Sequence, residues 1–450
     1  MKKFISLLLA IILTVSAISI FPINAAALSS GDYWYEVLPD GTARITAYKG
    51  TASYVYMPST IGGYTVTQIG ESAFSINTSV LYIQVPNTVE IIHNKAFYRC
   101  EQLRNISIPD SVTYIGTSAF YHCINLREIE LGNSINTLAD SAFQDCTSLT
   151  SITLPDSLTK IGVWTFSSCK SLTEITIPEQ ITTIPHGAFL FCYELSEVNL
   201  PENLISIGES AFASSALKEI VIPDKVETIG GYAFNNVHSL EKVTLGNSVT
   251  SIGEYAFSHC RALKTVTLPD SVKTVGDLAF NNCHAMESIS INNGLESIGE
   301  LAFQNCHLLT EVTIPETVKS IGNGAFYYCS ALKSITVLNP FCNIDNTDAR
   351  LFESTTVFKG YDSSTAKTYA KKQSKTFESL GEYEGVKRGD ANLDGIVNVI
   401  DATLIQRKTA NYVTLDELQS HNADVNGSYF IDVLDATEIQ RYLARFITEL

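Results

Sequence analysis

Positive charge is scarce in this chain. It carries 30 Lys and Arg against 47 Asp and Glu, a formal net charge of −17. A nucleic-acid binder needs clustered basic residues to neutralise phosphates, so that class is excluded. Docking on anionic lipid is excluded for the same reason. Ten cysteines in 450 residues are too few for a disulfide scaffold, and 26 Gly with 13 Pro exclude a collagenous or Pro-rich chain. Catalytic signatures are missing as well. Spacing locates no nucleophile elbow, His-Glu-x-x-His helix, Walker loop or paired-carboxylate cleft. What is left is an acidic chain of ordinary globular composition, 45% apolar, with room for two or three domains.

Only the N-terminus has a long apolar run. Lys2 and Lys3 precede an almost unbroken apolar stretch at 4–20, followed by Asn24-Ala25-Ala26-Ala27. This reads as a signal peptide over 1–27, with Ala25 and Ala27 at the cleavage site and cleavage after Ala26 as the alternative. A retained membrane anchor is the competing reading, since 17 apolar residues nearly span a bilayer. Loss of Lys2 and Lys3 leaves 28 basic against 47 acidic residues, −19 by that count. The protein is expected to be exported, with no membrane insertion after cleavage.

A 23-residue period dominates the middle of the chain. Its landmark is Phe at 74, 97, 120, 143, 166, 189, 212, 234, 257, 280, 303 and 326, preceded by Ala except at Thr165. Only the step from Phe212 to Phe234 is 22. After Phe166 come Cys169, Leu172, Ile175, Ile177 and Pro178, then Ile181 and Ile184, and the other units follow suit. Twelve copies with an L-x-x-I-x-I core predict a leucine-rich solenoid, in which stacked units share one core.

Alternation places Ile175 and Ile177 inside and Glu174 and Thr176 in solvent, with Pro178 ending the strand. The outward residue between the apolar pair reads Ser107, Glu130, Thr153, Thr176, Asn199, Val221, Thr244, Thr267, Ser290, Thr313 and Thr336. Such a Thr/Ser-rich column suits an exposed parallel sheet and lacks the aromatic and Arg anchors of a binding hot spot. These units resemble BspA-like leucine-rich repeats, a family of secreted or surface bacterial proteins. The resemblance covers about 30–380 and implies binding, adhesion or display. The stretch 34–43, with Asp40-Gly41 as its turn, is similar to the hairpin cap that opens such arrays. At the other end Ala366, Tyr369, Ala370, Gln373 and Phe377 fall on one helical face, predicting a capping helix over 363–377.

Nine cysteines recur three residues after the Phe: Cys100, Cys123, Cys146, Cys169, Cys192, Cys260, Cys283, Cys306 and Cys329. The equivalent slots hold Asn77, Ser215 and Val237, so the position does not need sulfur. Stacked copies point their Cβ vectors in parallel, which suits bridging poorly, and buried free thiols are expected. Cys342 lies outside this ladder. His238, His284 and His307 share one repeat offset, but no closed tetrahedral metal set is visible, and surface turn positions account for them.

The last sixty residues carry the metal chemistry. Asp390, Asn392, Asp394, Asn398 and Asp401 place oxygen ligands at positions 1, 3, 5, 9 and 12 of a twelve-residue calcium loop. The Ile396 carbonyl supplies position 7, and Gly395 the sharp turn at position 6. A second copy runs Asp424, Asn426, Ser428, Phe430 (through its carbonyl), Asp432 and Asp435. Ser428 replaces an Asp and Tyr429 replaces the Gly, so the second of the two calcium sites is expected to be the weaker. After the loops, Asp401-Ala402-Thr403-Leu404-Ile405-Gln406-Arg407 is matched at six of seven positions by 435–441.

Two such half-sites, without an entering helix, resemble a type I dockerin, from 388 to about 446. The resemblance implies a cohesin partner on a scaffoldin. It assigns the contacts to Val399, Ile400, Gln406 and Arg407 in one half and to Val433, Leu434, Gln440 and Arg441 in the other. The competing account is that the apolar pairs pack the two helices together.

The expected architecture is a β-rich leucine-rich-repeat solenoid with a parallel sheet, followed by a small all-α calcium-binding dockerin domain. Its parts are a signal peptide (1–27), an N-terminal cap (28–70), the repeats (71–340), a C-terminal cap (341–380), a linker (381–387) and the dockerin (388–450). The expected function is that of a secreted, non-catalytic member of a cellulosome-like complex associated with polysaccharide breakdown. Its solenoid would bind a polysaccharide, protein or cell surface. A hydrolase with its site hidden in the repeats, or a protein-binding adhesin or inhibitor, is the alternative.

Overall fold

The computed structural model describes residues 28–345, 355–383, 389–392, 397–415, 417–425 and 430–444. The signal peptide expected at 1–27 lies outside them. Within the solenoid each repeat follows one path. A three-residue strand such as Glu174–Thr176 turns its central Ile175 into the core and its flanks to solvent. Ile177 follows, also buried, and Pro178 ends the strand. A two-residue strand such as Thr183–Ile184 comes next, and turns bearing the Phe and Cys complete the circuit. Both strands pair in parallel with their equivalents one repeat on, Glu174 with Glu197 and Thr183 with Ser206. The result is a parallel β-solenoid of about 14 turns.

The core is a column of rings. Tyr48 stacks on Phe74, and the stack continues through all twelve landmark Phe to Phe326. Phe120 and Phe143 lie 5.1 Å apart and within 3° of parallel. Strand spacing in a parallel sheet sets this distance, so periodicity in sequence becomes aromatic stacking in space. The short step keeps it: Phe212 and Phe234 are 5.5 Å apart. The missing residue is lost between Ser215 and Leu217, which stands five rather than six residues after the Phe. The row of three-residue strands breaks here, between Glu197–Asn199 and Glu219–Val221, as it also does after Glu128–Glu130 and after Ser288–Ser290, while Ser206–Ile207 still pairs with Thr228–Ile229.

The turns around each Phe need left-handed backbone two residues before it and two after it, as at Trp164 (φ 54°) and Ser168 (φ 61°) around Phe166. Glycine fills only two of these positions, Gly187 and Gly324. A Cβ on Gly187 would meet the Trp164 ring of the preceding repeat, and one on Gly324 would meet Leu301. At these two positions the side chain of the preceding turn fills the space a Cβ would need, whereas Tyr232 and Tyr255 at equivalent positions stack on one another instead.

At the N-terminal end Tyr33–Val37 and Ala43–Tyr48 form the expected hairpin. Gly41 takes φ +81°, and the Asp40 carboxylate accepts from the Thr42 amide and hydroxyl. At the other end helix α1 (Thr365–Lys372) is capped by Ser364 and buries Ala366, Tyr369 and Ala370. It is shorter than the sequence suggested. Ser374 takes φ 53°, and Phe377–Ser379 becomes a strand parallel to Val357–Gly360. Phe377 therefore joins the sheet rather than the helical face.

A second, separate core lies in the C-terminal residues, built from Ala391, Ala402, Ile405, Ala423, Val425, Ala436 and Ile439. Helices α2 (Val399–Thr409) and α4 (Val433–Leu443) pack on each other around it. Between them in sequence lies α3 (Glu417–Ala423), which leads into the second loop, where the loop pattern alone implies no entering helix.

Candidate metal centre and docking surface

The two C-terminal helices start in the same way. Asn398 is the N-cap of α2 and Asp432 that of α4, each in extended backbone, with the side chain accepting from the amide two residues on. Each forms a reciprocal capping box with the carboxylate three residues later. Asp401 Oδ2 accepts the Asn398 amide at 2.8 Å, and Asp435 Oδ2 accepts the Asp432 amide at 2.8 Å. Asp401 Oδ1 also accepts the Asn392 amide at 3.0 Å, which draws the start of the first loop to its end. These acids therefore do a structural task that the loop pattern did not reveal. The signal was present in Asn398-x-x-Asp401 and Asp432-x-x-Asp435, a cap followed by an acid at N3.

Asp390, Asp401 and Asp435 are buried, and Asn392, Asn398, Asp424 and Asp432 are half-buried. The Phe430 side chain is exposed; the loop pattern assigns its carbonyl rather than its ring. Asp394, Gly395 and Ile396 of the first loop, with Asn426, Ser428 and Tyr429 of the second, lie outside the described residues. Among the described residues no three His, Cys, Asp or Glu side chains are grouped so as to hold an ion. The donor set nonetheless suits a hard cation. The Asn392 and Asn398 backbone N–H groups that donate to the Asp401 carboxylate are neutral, so they do not balance its buried charge. An oxygen-rich set of buried carboxylates is what calcium takes.

Sequence reasoning did not find Asn422. It is buried at the end of α3, donates from Nδ2 to the Asp390 carbonyl at 3.1 Å, and accepts the Gly389 amide at 2.7 Å. It thus ties the entry of the first loop to the helix that enters the second. A separation of 32 residues leaves no local pattern for it.

The expected docking residues occupy matching places. Val399 and Ile400 are 62% and 58% exposed, and Val433 and Leu434 are 61% and 58% exposed. None is packed between the helices; that task belongs to Ala402, Ile405, Ala436 and Ile439. Gln406, Arg407, Gln440 and Arg441 are exposed one to two turns further on. Arg441 pairs with Glu438 at 3.0 Å, where the first half has Leu404 instead.

In the solenoid all ten cysteines are free and buried. Burial pushes the Cys100 thiol up to about 12 and holds Cys123, Cys169 and Cys260 well above the usual thiol value. His284 and His307 stack at 4.9 Å. His307 and His238 each bond a ring nitrogen to a carbonyl of the next turn, at 3.0 and 2.9 Å. Among the described residues no helix is long and apolar enough to cross a membrane.

Comparison with known proteins agrees with both halves. The family described as BspA type leucine-rich repeat region, in six copies, matches residues 56–147, 113–241 and 227–357. The type I dockerin domain family matches 388–444. A solved leucine-rich repeat protein from Bacteroides ovatus is 25% identical, with 78% of this chain and 99% of that one covered, at a TM-score of 0.62. A leucine-rich cell surface protein from Faecalibacterium prausnitzii is 29% identical, with 72% and 95% covered, at 0.46. No curated protein matches. The chain belongs to the BspA-type leucine-rich repeat proteins, and its C-terminal residues form a type I dockerin domain.

Proposed function

We propose that this protein is an exported, non-catalytic component of a cellulosome-like assembly. Residues 388–450 attach it to a scaffoldin cohesin, and the solenoid (28–380) presents a surface to a polysaccharide, protein or cell. Type I dockerins bind calcium and a cohesin, and neither family here is catalytic. The observation that carries the reading is the doubled pair of exposed apolar residues at the start of α2 and α4. Twin apolar side chains held in water at equivalent places mark an interface.

Asp390, Asn392, Asp394, Asn398, Asp401 and the Ile396 carbonyl would hold one calcium. Asp424, Asn426, Ser428, Asp432, Asp435 and the Phe430 carbonyl would hold a second, more weakly. Bound calcium supplies the positive charge that lets buried carboxylates converge. The chain's own contribution is orientation: Asn398 and Asp432 fix the helix starts, so that Val399-Ile400 and Val433-Leu434 face outward beside Gln406-Arg407 and Gln440-Arg441. Extracellular placement is part of the same reading, supported by the leader-like pattern at 1–27 and by the dockerin. Mixing the full chain with a panel of cohesins tests this on a native gel. A shifted band that residues 388–450 reproduce alone is expected; no shift with any cohesin would overturn it.

A further inference from the structure

From Asn105 to Thr336 the outward positions of the three-residue strand row are Ser, Thr, Asn, Glu, Lys or Val. The first two strands break that pattern. Tyr54–Tyr56 is the edge strand of its sheet and pairs in parallel with Tyr82–Gln84, which pairs with Asn105–Ser107. Tyr54 lies opposite Tyr82, and the rings stack at 4.8 Å within 10° of parallel. Tyr56 lies opposite Gln84 and is 76% exposed. These residues, with Asn105 and Ser107, line an open cleft of ≈ 300 Å³.

Sheet stability explains only part of this. The Tyr54–Tyr82 stack is a stabilising cross-strand pair. Tyr56 gains nothing comparable from Gln84, and an apolar ring in water on an edge strand is what proteins usually avoid. Its open face suits a ligand.

We infer that this cleft is a subsite for a neutral saccharide. The inference rests on the solenoid being the binding part of the function proposed above, and it names the ligand class. Tyr, Gln, Asn and Ser supply every polar group of the cleft, and none carries a charge at neutral pH. A sugar ring has a flat C–H face that packs on an aromatic ring, and hydroxyls that both donate and accept. The phenol, amide and hydroxyl groups of Tyr82, Gln84, Asn105 and Ser107 answer those hydroxyls in kind. An anionic polymer is disfavoured. Glu128 and Glu130 stand on the next strand, in register with Asn105 and Ser107, and Glu130 accepts from the Ser107 hydroxyl at 3.2 Å.

Affinity electrophoresis of the full chain through gels containing soluble xylan, mannan or mixed-linkage β-glucan tests the site. At least one neutral polymer should retard the protein, and polygalacturonate should not. Tyr56→Ala and Tyr54→Ala should each weaken retardation at least about tenfold, a loss of about 1.4 kcal/mol. Val221→Ala, on the same face beyond the cleft, should leave it unchanged. All three positions are exposed, and unchanged thermal melts would show that the variants fold. The proposal is overturned if no neutral polymer retards the protein, if Tyr56→Ala binds as tightly as the parent, or if the cleft instead mediates concentration-dependent self-association. Cohesin binding measured on the same variants should not change, so failure of the saccharide site and failure of the docking reading are distinguishable.

Discussion

The Cys169 thiol donates a hydrogen bond to the carbonyl of Phe143, 26 residues earlier, at 3.3 Å. The same bond recurs from Cys100 to Phe74 at 3.0 Å and from Cys329 to Phe303 at 3.1 Å. Each of the nine ladder cysteines thus ties its own turn to the backbone of the preceding Phe. Cys169→Ala should destabilise the solenoid by about 1–2 kcal/mol, from the lost bond and the gap left by sulfur. Cys169→Val should cost less, because Val237 is fully buried in the equivalent slot. Guanidinium denaturation followed by fluorescence measures both, since Trp34 and Trp164 both lie in the solenoid. The ten thiols should be inert to a thiol reagent in the folded protein and all should react in denaturant.

Acid should weaken the solenoid well before its carboxylates titrate. Burial lowers His93, His259 and His284 below the usual 6.5, with Arg44 adding to the effect on His93 and His307 to that on His284. Below 6.5 the unfolded chain takes up protons that the folded chain refuses, so stability falls as pH drops through the folded values. Melting temperature should be flat from pH 8 to 7 and decline from about 6.5 downward. Replacing the three histidines with Asn or Gln should remove that decline. An unchanged slope would assign it elsewhere.

Gly187→Ala should be costly for its size. The position combines φ +60° with a Cβ that would collide with Trp164 Cδ1. A loss of about 1–3 kcal/mol is expected, the range for strained backbone. Combining it with Trp164→Ser, the residue found at many equivalent turns, should recover the part due to collision. Full recovery would show that φ contributes nothing.

Much of this was legible because stacking converts a period into contacts. The Phe column and the inward Ile175 and Ile177 follow from spacing alone, and the Asp40-Gly41 hairpin from the resemblance to the cap that opens such arrays. Phe377 was misread because helical spacing continued past Lys372, and nothing local announces the left-handed turn at Ser374. The tyrosine cleft was missed for a different reason. Tyr54-Val55-Tyr56-Met57-Pro58 has the same frame as Glu174–Pro178, but 28 residues separate Tyr54 from Tyr82, and a scan for 23 passes over it. The thiol-to-carbonyl bonds depend on turn geometry between repeats, which composition does not encode.

The two apolar pairs should substitute for one another. Asp-Ala-Thr-x-Ile-Gln-Arg recurs on α2 and α4 behind caps of the same geometry, so each half can present nearly the same surface. Charged residues at Val399 and Ile400 should cost about 0.4 kcal/mol of cohesin affinity, the loss of one of two equal modes. Charging all four positions should abolish binding. If either double variant alone abolishes it, one half carries the interface.

Calcium should act unequally on the two halves. Asp401→Asn should weaken the tighter site by about tenfold or more, since a position-12 carboxylate is lost. Asp435→Asn should have the smaller effect on overall affinity because Ser428 and Tyr429 already weaken its loop. Isothermal titration of calcium into the full chain reads both. Equal affinities in the parent protein would contradict the asymmetry.

The most direct measurement is calorimetric titration of a matching cohesin into the full chain, first with calcium and then with excess chelator. Tight binding with calcium and none with chelator is the expected result, with solenoid tryptophan fluorescence unchanged throughout. Cohesin binding of equal strength in chelator, or no binding in either condition across a cohesin panel, would contradict calcium-dependent docking through the C-terminal module.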